Sequence, residues 1–281
     1  MKILIVGLGL LGGSYAMSLT KQGYHVKAIT RSHASVEYAI DEGLVEYATN
    51  EVEESVVGEA DLVVFALYPH VFKEWVEEYQ KFFKSGAIIT DVTGVKSCIV
   101  YDIQNILRND VEFIAAHPMA GRERSGVQNS DDSIFRGANY VVVPTEKNTS
   151  DAIELCRNLG EILGFARISE LSPEEHDKII AFVSQLTHCI AIALMTCQTT
   201  PHLEEYTGDS FRDLTRIARL NDDMWSELFL LNRDALINEM NLFEGELDRL
   251  KSLLLAGDRE GLREMMRYST ARRAIFDKPE T

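Results

Sequence analysis

Up to about residue 170 the chain alternates short apolar runs with longer stretches in which apolar residues recur every three or four positions. The runs fit buried strands and the longer stretches fit amphipathic helices. The pattern predicts strands over 2–6, 25–30, 61–67, 87–92, 111–116, 140–144 and 165–168, and helices over 13–21, 35–42, 51–60, 71–83, 95–108 and 150–163. Strands separated by helices imply a doubly wound, mostly parallel α/β sheet. At Ser172 the character changes: Ser172, Pro173 and Glu175 spell an N-cap, a first-turn proline and a capping-box glutamate. From there to about Phe276 the periodicity is helical only, broken near Thr200-Pro201, Gly208 and Ala256-Gly257. The expected division is a dinucleotide-binding α/β domain over 1–170 and an all-α domain over 171–281. The apolar excess of the second part, as in MWSELFLLNRDALINEMNLF, implies helices that also pack against a second subunit, a homodimer.

The opening stretch, MKILIVGLGLLGGSYAMSLT, starts as an export signal would, with one lysine and an apolar run. A signal core is helical, however, and Gly7, Gly9, Gly12 and Gly13 all disfavour helix there. As strand, turn and helix the same residues make sense. Gly7-Leu8-Gly9-Leu10-Leu11-Gly12 is G-x-G-x-x-G, in which the first glycine makes the tight turn, the second admits a pyrophosphate and the third lets helix and strand pack closely. The helix N-terminus then offers unpaired N–H groups to the phosphates. Gly7, Gly9, Leu10, Leu11 and Gly12 are therefore candidate cofactor contacts. The next strand ends in Ala28-Ile29-Thr30-Arg31-Ser32, with no carboxylate for a ribose 2′-hydroxyl. An arginine between two hydroxyls suits a 2′-phosphate, so Thr30, Arg31 and Ser32 favour NADP over NAD.

Charge narrows the partners. Lys+Arg 28 against Asp+Glu 44 gives a net charge of −16, which argues against broad binding to nucleic acid or to an anionic membrane, since both need a basic face. No apolar run is expected to reach membrane-spanning length before a polar residue interrupts it. Cys98, Cys156, Cys189 and Cys197 form no C-x-x-C pair and show no metal-ligand spacing, which fits a reduced, cytoplasmic chain without a structural metal. An anionic small-molecule substrate must then be met by a local cluster of arginines.

The longest irregular segment, AAHPMAGRERSGVQNSDDSIFRGAN, comes after the strand over 111–116 and so belongs at the carboxyl end of the sheet, beside the cofactor. His117 leads it, and an imidazole with a pKa of about 6.5 is suited to accept a hydroxyl proton. On the first long helix of the second domain Asp177, Ala181, Ser184 and His188 fall at i, i+4, i+7 and i+11, one face of a regular helix. Further on, GDSFRDLTRIARLNDDMW brings together Arg212, Arg216 and Arg219, of which Arg216 and Arg219 share a face as a carboxylate clamp.

The stretches GLGLLGGS, TDVTGVK (90–96), HPMAGRERSG (117–126), HDKIIAFVSQLTH (176–188) and FRDLTRIARLNDDMW (211–225) together resemble the TyrA-type prephenate/arogenate dehydrogenases of tyrosine biosynthesis, over nearly the whole chain. The resemblance implies NAD(P)-dependent oxidative decarboxylation of a cyclohexadienyl acid by a Rossmann domain joined to a helical dimerisation domain. It implies that His117 accepts the ring hydroxyl proton, Arg216 holds a substrate carboxylate, His188 and Glu123 line the pocket, Asp177 supports it, and Tyr68-Pro69 border the nicotinamide. Many members carry a serine that orients the catalytic histidine; here Gly94 stands in its place, so that either Thr93 next door takes over or the contact is lost. The helix motif S-H-x-P-H reads Ser184-Gln185-Leu186-Thr187-His188. No chorismate mutase segment before the glycine loop and no regulatory domain after Phe276 are expected. Prephenate and arogenate both remain open. Two other readings are a β-hydroxyacid dehydrogenase or imine reductase, which calls for a lysine base such as Lys178, and a non-catalytic NAD(P)-binding sensor.

Overall fold

In the computed structural model, which describes residues 1–122 and 124–276, β1 (Lys2–Val6), β2 (His25–Ile29), β3 (Tyr47–Thr49), β4 (Leu62–Phe65), β5 (Ile88–Asp91) and β6 (Glu112–Phe113) form a parallel sheet. Their order is β3-β2-β1-β4-β5-β6. The crossovers run through α1 (Leu10–Lys21), α2 (His33–Asp41), α3 (Glu54–Val57), α4 (Pro69–Tyr79) and α5 (Ser97–Ile106). Strand side chains alternate between faces. Ile3 and Ile5 accordingly join a core with Tyr15, Ala16 and Leu19 of α1, while Leu4 and Val6 join one with Phe72, Trp75 and Val76 of α4 and Ile99, Val100 and Ile103 of α5. Burial on both faces is why these strands read as continuous apolar runs.

Two local expectations are corrected. The stretch read as a helix over 51–60 is one turn, α3, and the three-residue edge strand β3 precedes it unread. The apolar run over 111–116 is not one strand. It breaks at Ile114, and β7 (Ala115–Met119) leaves the parallel sheet to pair antiparallel with β8 (Asn139–Val143). After α6 (Ser150–Leu163), β9 (Arg167–Glu170) pairs parallel with β8 and completes a second sheet, β7-β8-β9. Pro118 fits β7 because an edge strand needs no N–H on its outer side. His117 thus sits inside a strand rather than at the tip of one.

The capping box forms as read: Ser172 Oγ accepts the Glu175 N–H, and the Glu175 carboxylate accepts the Ser172 N–H. It starts α7 (Pro173–Ile180), which runs through a π-helical turn, Ala181–Leu186, into α8 (Thr187–Thr196). This continuous helix over 173–196 holds an 18-residue window of mean hydropathy 1.9, long and apolar enough by length and composition to cross a membrane, with Ser184, Gln185, Thr187 and His188 as the expected polar interruptions. Then come α9 (Asp209–Thr215), a 3-10 turn Arg216–Ala218 and α10 (Asp222–Leu231).

All of this, Met1–Asn232, is one compact unit. The second unit, Arg233–Thr281, holds α11 (Arg233–Ala256) and α12 (Arg259–Arg273). Gly257 at φ 65° turns the chain between them, and Asp258 caps α12 by accepting the Gly261 N–H at 3.0 Å. Leu242, Leu247, Leu254, Leu255, Met266 and Tyr268 are exposed on this helical pair.

Candidate active site

The glycine turn fits a dinucleotide. Gly7 adopts φ +99°, a conformation that favours glycine, and a Cβ on Gly12 would lie 1.9 Å from the Gly7 carbonyl oxygen. Gly9 differs: a Cβ there meets nothing within 4 Å, so its missing side chain leaves open space above the turn. As N-cap of α1, Gly9 brings no side chain to the first helical N–H groups, which have no partners inside the helix. Leu10 and Leu11 are half-buried in that first turn. At the tip of β2, Arg31 is exposed and, among the described residues, in no ion pair. Ser32 Oγ accepts the Ser35 N–H at 3.2 Å and caps α2, and the Thr30 N–H bonds the Thr49 carbonyl.

Beyond β4, Tyr68 is the N-cap and Pro69 the first residue of α4. The Tyr68 hydroxyl accepts from Asn221 Nδ2 at 3.0 Å, and Glu227 accepts the His70 N–H at 2.9 Å, with its other oxygen 2.8 Å from His70 Nδ1. These bonds dock α10 over the end of the parallel sheet.

His117 is held by a residue absent from the sequence-based candidates. Its Nδ1 lies 2.9 Å from His176 Nε2, and His176 Nδ1 lies 2.8 Å from Asp177 Oδ1. Asp177 is at the same time fixed by α5, its Oδ1 accepting the Lys96 N–H and its Oδ2 the Ser97 N–H, each at 2.8 Å. The chain of bonds dictates tautomers. A carboxylate only accepts, so His176 Nδ1 donates to it; neutral His176 then accepts at Nε2, and His117 Nδ1 donates. His117 Nε2 is left with its lone pair. Gly94 faces that atom: a Cβ built on Gly94 would stand 4.0 Å from His117 Nε2 and 3.5 Å from a Leu228 methyl.

The electrostatics keep both rings neutral. Burial, the neighbouring His176 and Lys96 hold His117 well below the ordinary 6.5. Burial also lowers His176, against the pull of Asp177. For Asp177 burial pushes the pKa up, and the hydrogen bonds from His176 and Ser97 outweigh it, leaving it lowered. Of the two outcomes expected for Thr93 the structure shows the lost contact: its hydroxyl bonds the Asp91 carboxylate and the Val95 carbonyl and receives the Lys96 ammonium, with no bond to His117. The signal for the true partner is the pair His176-Asp177 at the start of a helix, of which the sequence-based candidates include only the aspartate.

The face proposed for Asp177, Ser184 and His188 is also corrected. A π turn adds one residue to the winding, rotating the residues beyond it by about 100°. Asp177 faces α5, whereas His188 stacks on Trp225 of α10 with ring centroids 3.8 Å apart and its Nδ1 donates to the Ser184 carbonyl at 2.8 Å. Ser184 is half-buried. Gln185 points inward, donating to the Leu228 carbonyl at 2.9 Å and accepting from Asn232 at 2.8 Å. Arg216 is exposed on the 3-10 turn that packs against α8, the helix of His188. Arg212 bonds the Thr207 carbonyl and Asp209. Glu123, expected to line the pocket, lies outside the described residues. Lys178 is exposed while its neighbour Asp177 is buried, which leaves the lysine-base reading without its base.

The chain matches two family models in succession: the nucleotide-binding domain of prephenate dehydrogenase over residues 15–168 and the dimerization domain of prephenate dehydrogenase over 172–268. It resembles the prephenate dehydrogenase of A. aeolicus, whose crystal structure holds hydroxyphenyl propionate and NAD+, with 32% identity, TM-score 0.91 and 99% of each chain covered. The Synechocystis arogenate dehydrogenase structure is 25% identical with TM-score 0.85, covering 99% of this chain and 100% of that one. A prephenate dehydrogenase of Lactococcus lactis is 30% identical over 270 residues, 93% of this chain and 73% of the relative.

Proposed function

Because the chain belongs to the prephenate dehydrogenase family, we propose that it oxidises and decarboxylates prephenate or arogenate with His117 as the base, giving 4-hydroxyphenylpyruvate or tyrosine. The observation that carries this is the bond chain Asp177–His176–His117, which leaves the lone pair of a neutral imidazole on His117 Nε2, over the end of the sheet. A nicotinamide cofactor, which the glycine turn of Gly7, Gly9 and Gly12 would hold by its phosphates, would supply the hydride acceptor. His117 Nε2 takes the ring hydroxyl proton as the C4 hydride departs; the bond to the ring carboxylate then breaks, its electrons completing the aromatic ring and reaching the C4 oxygen as carbon dioxide leaves, and His117 returns the proton to that oxygen to give the phenol. Arg216 holds a substrate carboxylate as a charge-assisted anchor in an otherwise acidic protein. His188, oriented by Ser184 and stacked on Trp225, lines the pocket beside it.

The cofactor is NADP by this reading, because Arg31, exposed and in no ion pair among the described residues, stands at the strand tip where an NAD site carries a carboxylate. The active form is a homodimer, which the exposed Ile179, Phe182, Val183 and Met195 of the long helix and the apolar face of α11 and α12 support. The free cysteines support a reduced, cytoplasmic setting.

Absorbance at 340 nm, with prephenate and arogenate each crossed with NAD and NADP, tests the reading. Turnover is expected with at least one of the two acids, and none with either acid under any pairing would overturn it. Arg31→Ala is expected to raise the KM for NADP about tenfold and to leave that for NAD in place.

A further inference from the structure

The parallel sheet stops at β6, so β7 has a strand neighbour on one side only, β8. In its antiparallel pairing with β8 the N–H and C=O of Ala116 point to the other side, toward the tip of β5. There they meet side chains in place of a strand. Asp91 Oδ1 accepts the Ala116 N–H at 3.1 Å, and Lys96 Nζ donates to the Ala116 carbonyl at 2.6 Å. The two side chains are fully buried and paired at 2.6 Å. Lys96 Nζ also donates to Thr93 Oγ1 at 3.2 Å, so all three of its contacts are acceptors and the group is an ammonium. Asp91 Oδ2 receives the Thr93 N–H at 3.0 Å as well as the ammonium and the Thr93 hydroxyl.

We propose that the buried pair Asp91–Lys96 is the positioning device of His117, gripping both polar groups of the residue before it and so fixing where Nε2 stands. The inference rests on His117 being the base. A buried ion pair is costly to desolvate, and an apolar filling would serve a merely structural role as well or better. What an apolar filling cannot do is bond Ala116, whose two groups would be left unpaired. The same lysine serves a second end of the device: its backbone N–H, with that of Ser97, holds Asp177, from which the bonds run back through His176 to His117. The ring is thereby held from behind through its backbone and from the side through Nδ1, and both restraints meet in residues 91–97. Around the ammonium stand Asp91 from β5, Asp177 and His176 from α7, His117 from β7 and the thiol of Cys156 from α6.

The test is Lys96→Met in the full-length enzyme. The expected result is a kcat reduced about 10²-fold, the loss typical of a misplaced reacting group, with cofactor KM unchanged. Removing the positive charge beside His117 also moves the acid limb of kcat/KM upward, toward 6.5, which a loss of packing alone would not do. Lys96→Arg keeps the charge and is expected to leave the limb in place while kcat falls. If Lys96→Met does not fold, Thr93→Val, which keeps both charges and removes the hydroxyl they share, is expected to lower kcat severalfold. Wild-type kcat and an unmoved limb in a folded Lys96→Met, or wild-type kcat in Thr93→Val, would overturn the proposal. His117→Asn separates the two readings: full activity there removes the base itself, whereas its loss beside an active Lys96→Met removes only the positioning device.

Discussion

His117 donates from Nδ1 to His176 Nε2 over 2.9 Å, an imidazole supported by an imidazole. Replacing the first ring removes the base while the glycine turn, on separate elements, keeps the cofactor. His117→Asn is expected to lower kcat by about 10²–10⁴-fold with little change in cofactor affinity, measured by steady-state kinetics beside a fluorescence titration.

Asp177→Asn probes the direction of the bonds. Asp177 Oδ1 and Oδ2 each accept a backbone N–H from the start of α5, and Oδ1 also accepts from His176. An amide has only one acceptor oxygen, and its NH2 turned to His176 reverses both tautomers and places a proton on His117 Nε2. The expected loss in kcat is about 10²-fold or more, with the fold retained by circular dichroism. Asp177→Ala also leaves those N–H groups unpaired, costing about 1–3 kcal/mol for each, so its Tm falls by several degrees.

The pH dependence has a definite sign. His117 and His176 both sit below 6.5 in the folded chain, chiefly through burial. The unfolded chain takes up their protons as pH falls through about 6.5 and the folded chain does not, so stability is full above that pH and declines below it. Denaturant midpoints at pH 7.5 and 5.5 check this. For the same reason the acid limb of kcat/KM lies below 6.5.

Gly9 and Gly12 separate fold from function within one turn. Gly9→Ala adds a methyl that meets no protein atom within 4 Å, so Tm is expected to hold while cofactor affinity falls at least tenfold. Gly12→Ala drives a methyl to 1.9 Å from the Gly7 carbonyl oxygen, and both Tm and affinity are expected to drop.

Arg216→Ala is expected to raise substrate KM steeply, because losing one partner of a charge-assisted pair costs about 2–5 kcal/mol. An unchanged KM would move the anchor to Arg212 or Arg219.

What the sequence made legible is what depends on local chemistry. The glycine turn, the capping box at Ser172 and the helix α6 over 150–163 are written in consecutive residues, as is the alternation of strands and helices. What it hid depends on contacts far apart in the chain. His176 meets His117 across 59 positions, and its place beside Asp177 at the start of a helix does not by itself say which ring it reaches. From Phe113 to Ala116 the run is apolar without a break, so the change of sheet at Ile114 leaves no trace in hydropathy. The phase of His188 escapes the sequence because a π turn is a matter of winding, not of residue type.

That turn has a consequence for length. A π turn is an ordinary helix with one residue too many, so the stretch Ala181–Leu186 carries a spare. Dropping one of its outward residues, such as Val183, would return the winding to regular pitch and keep Asp177 against α5 and His188 against Trp225 in their present directions. The two ends of the long helix are thus insulated from each other's register: a deletion that would scramble any other part of it is, at this one place, absorbed.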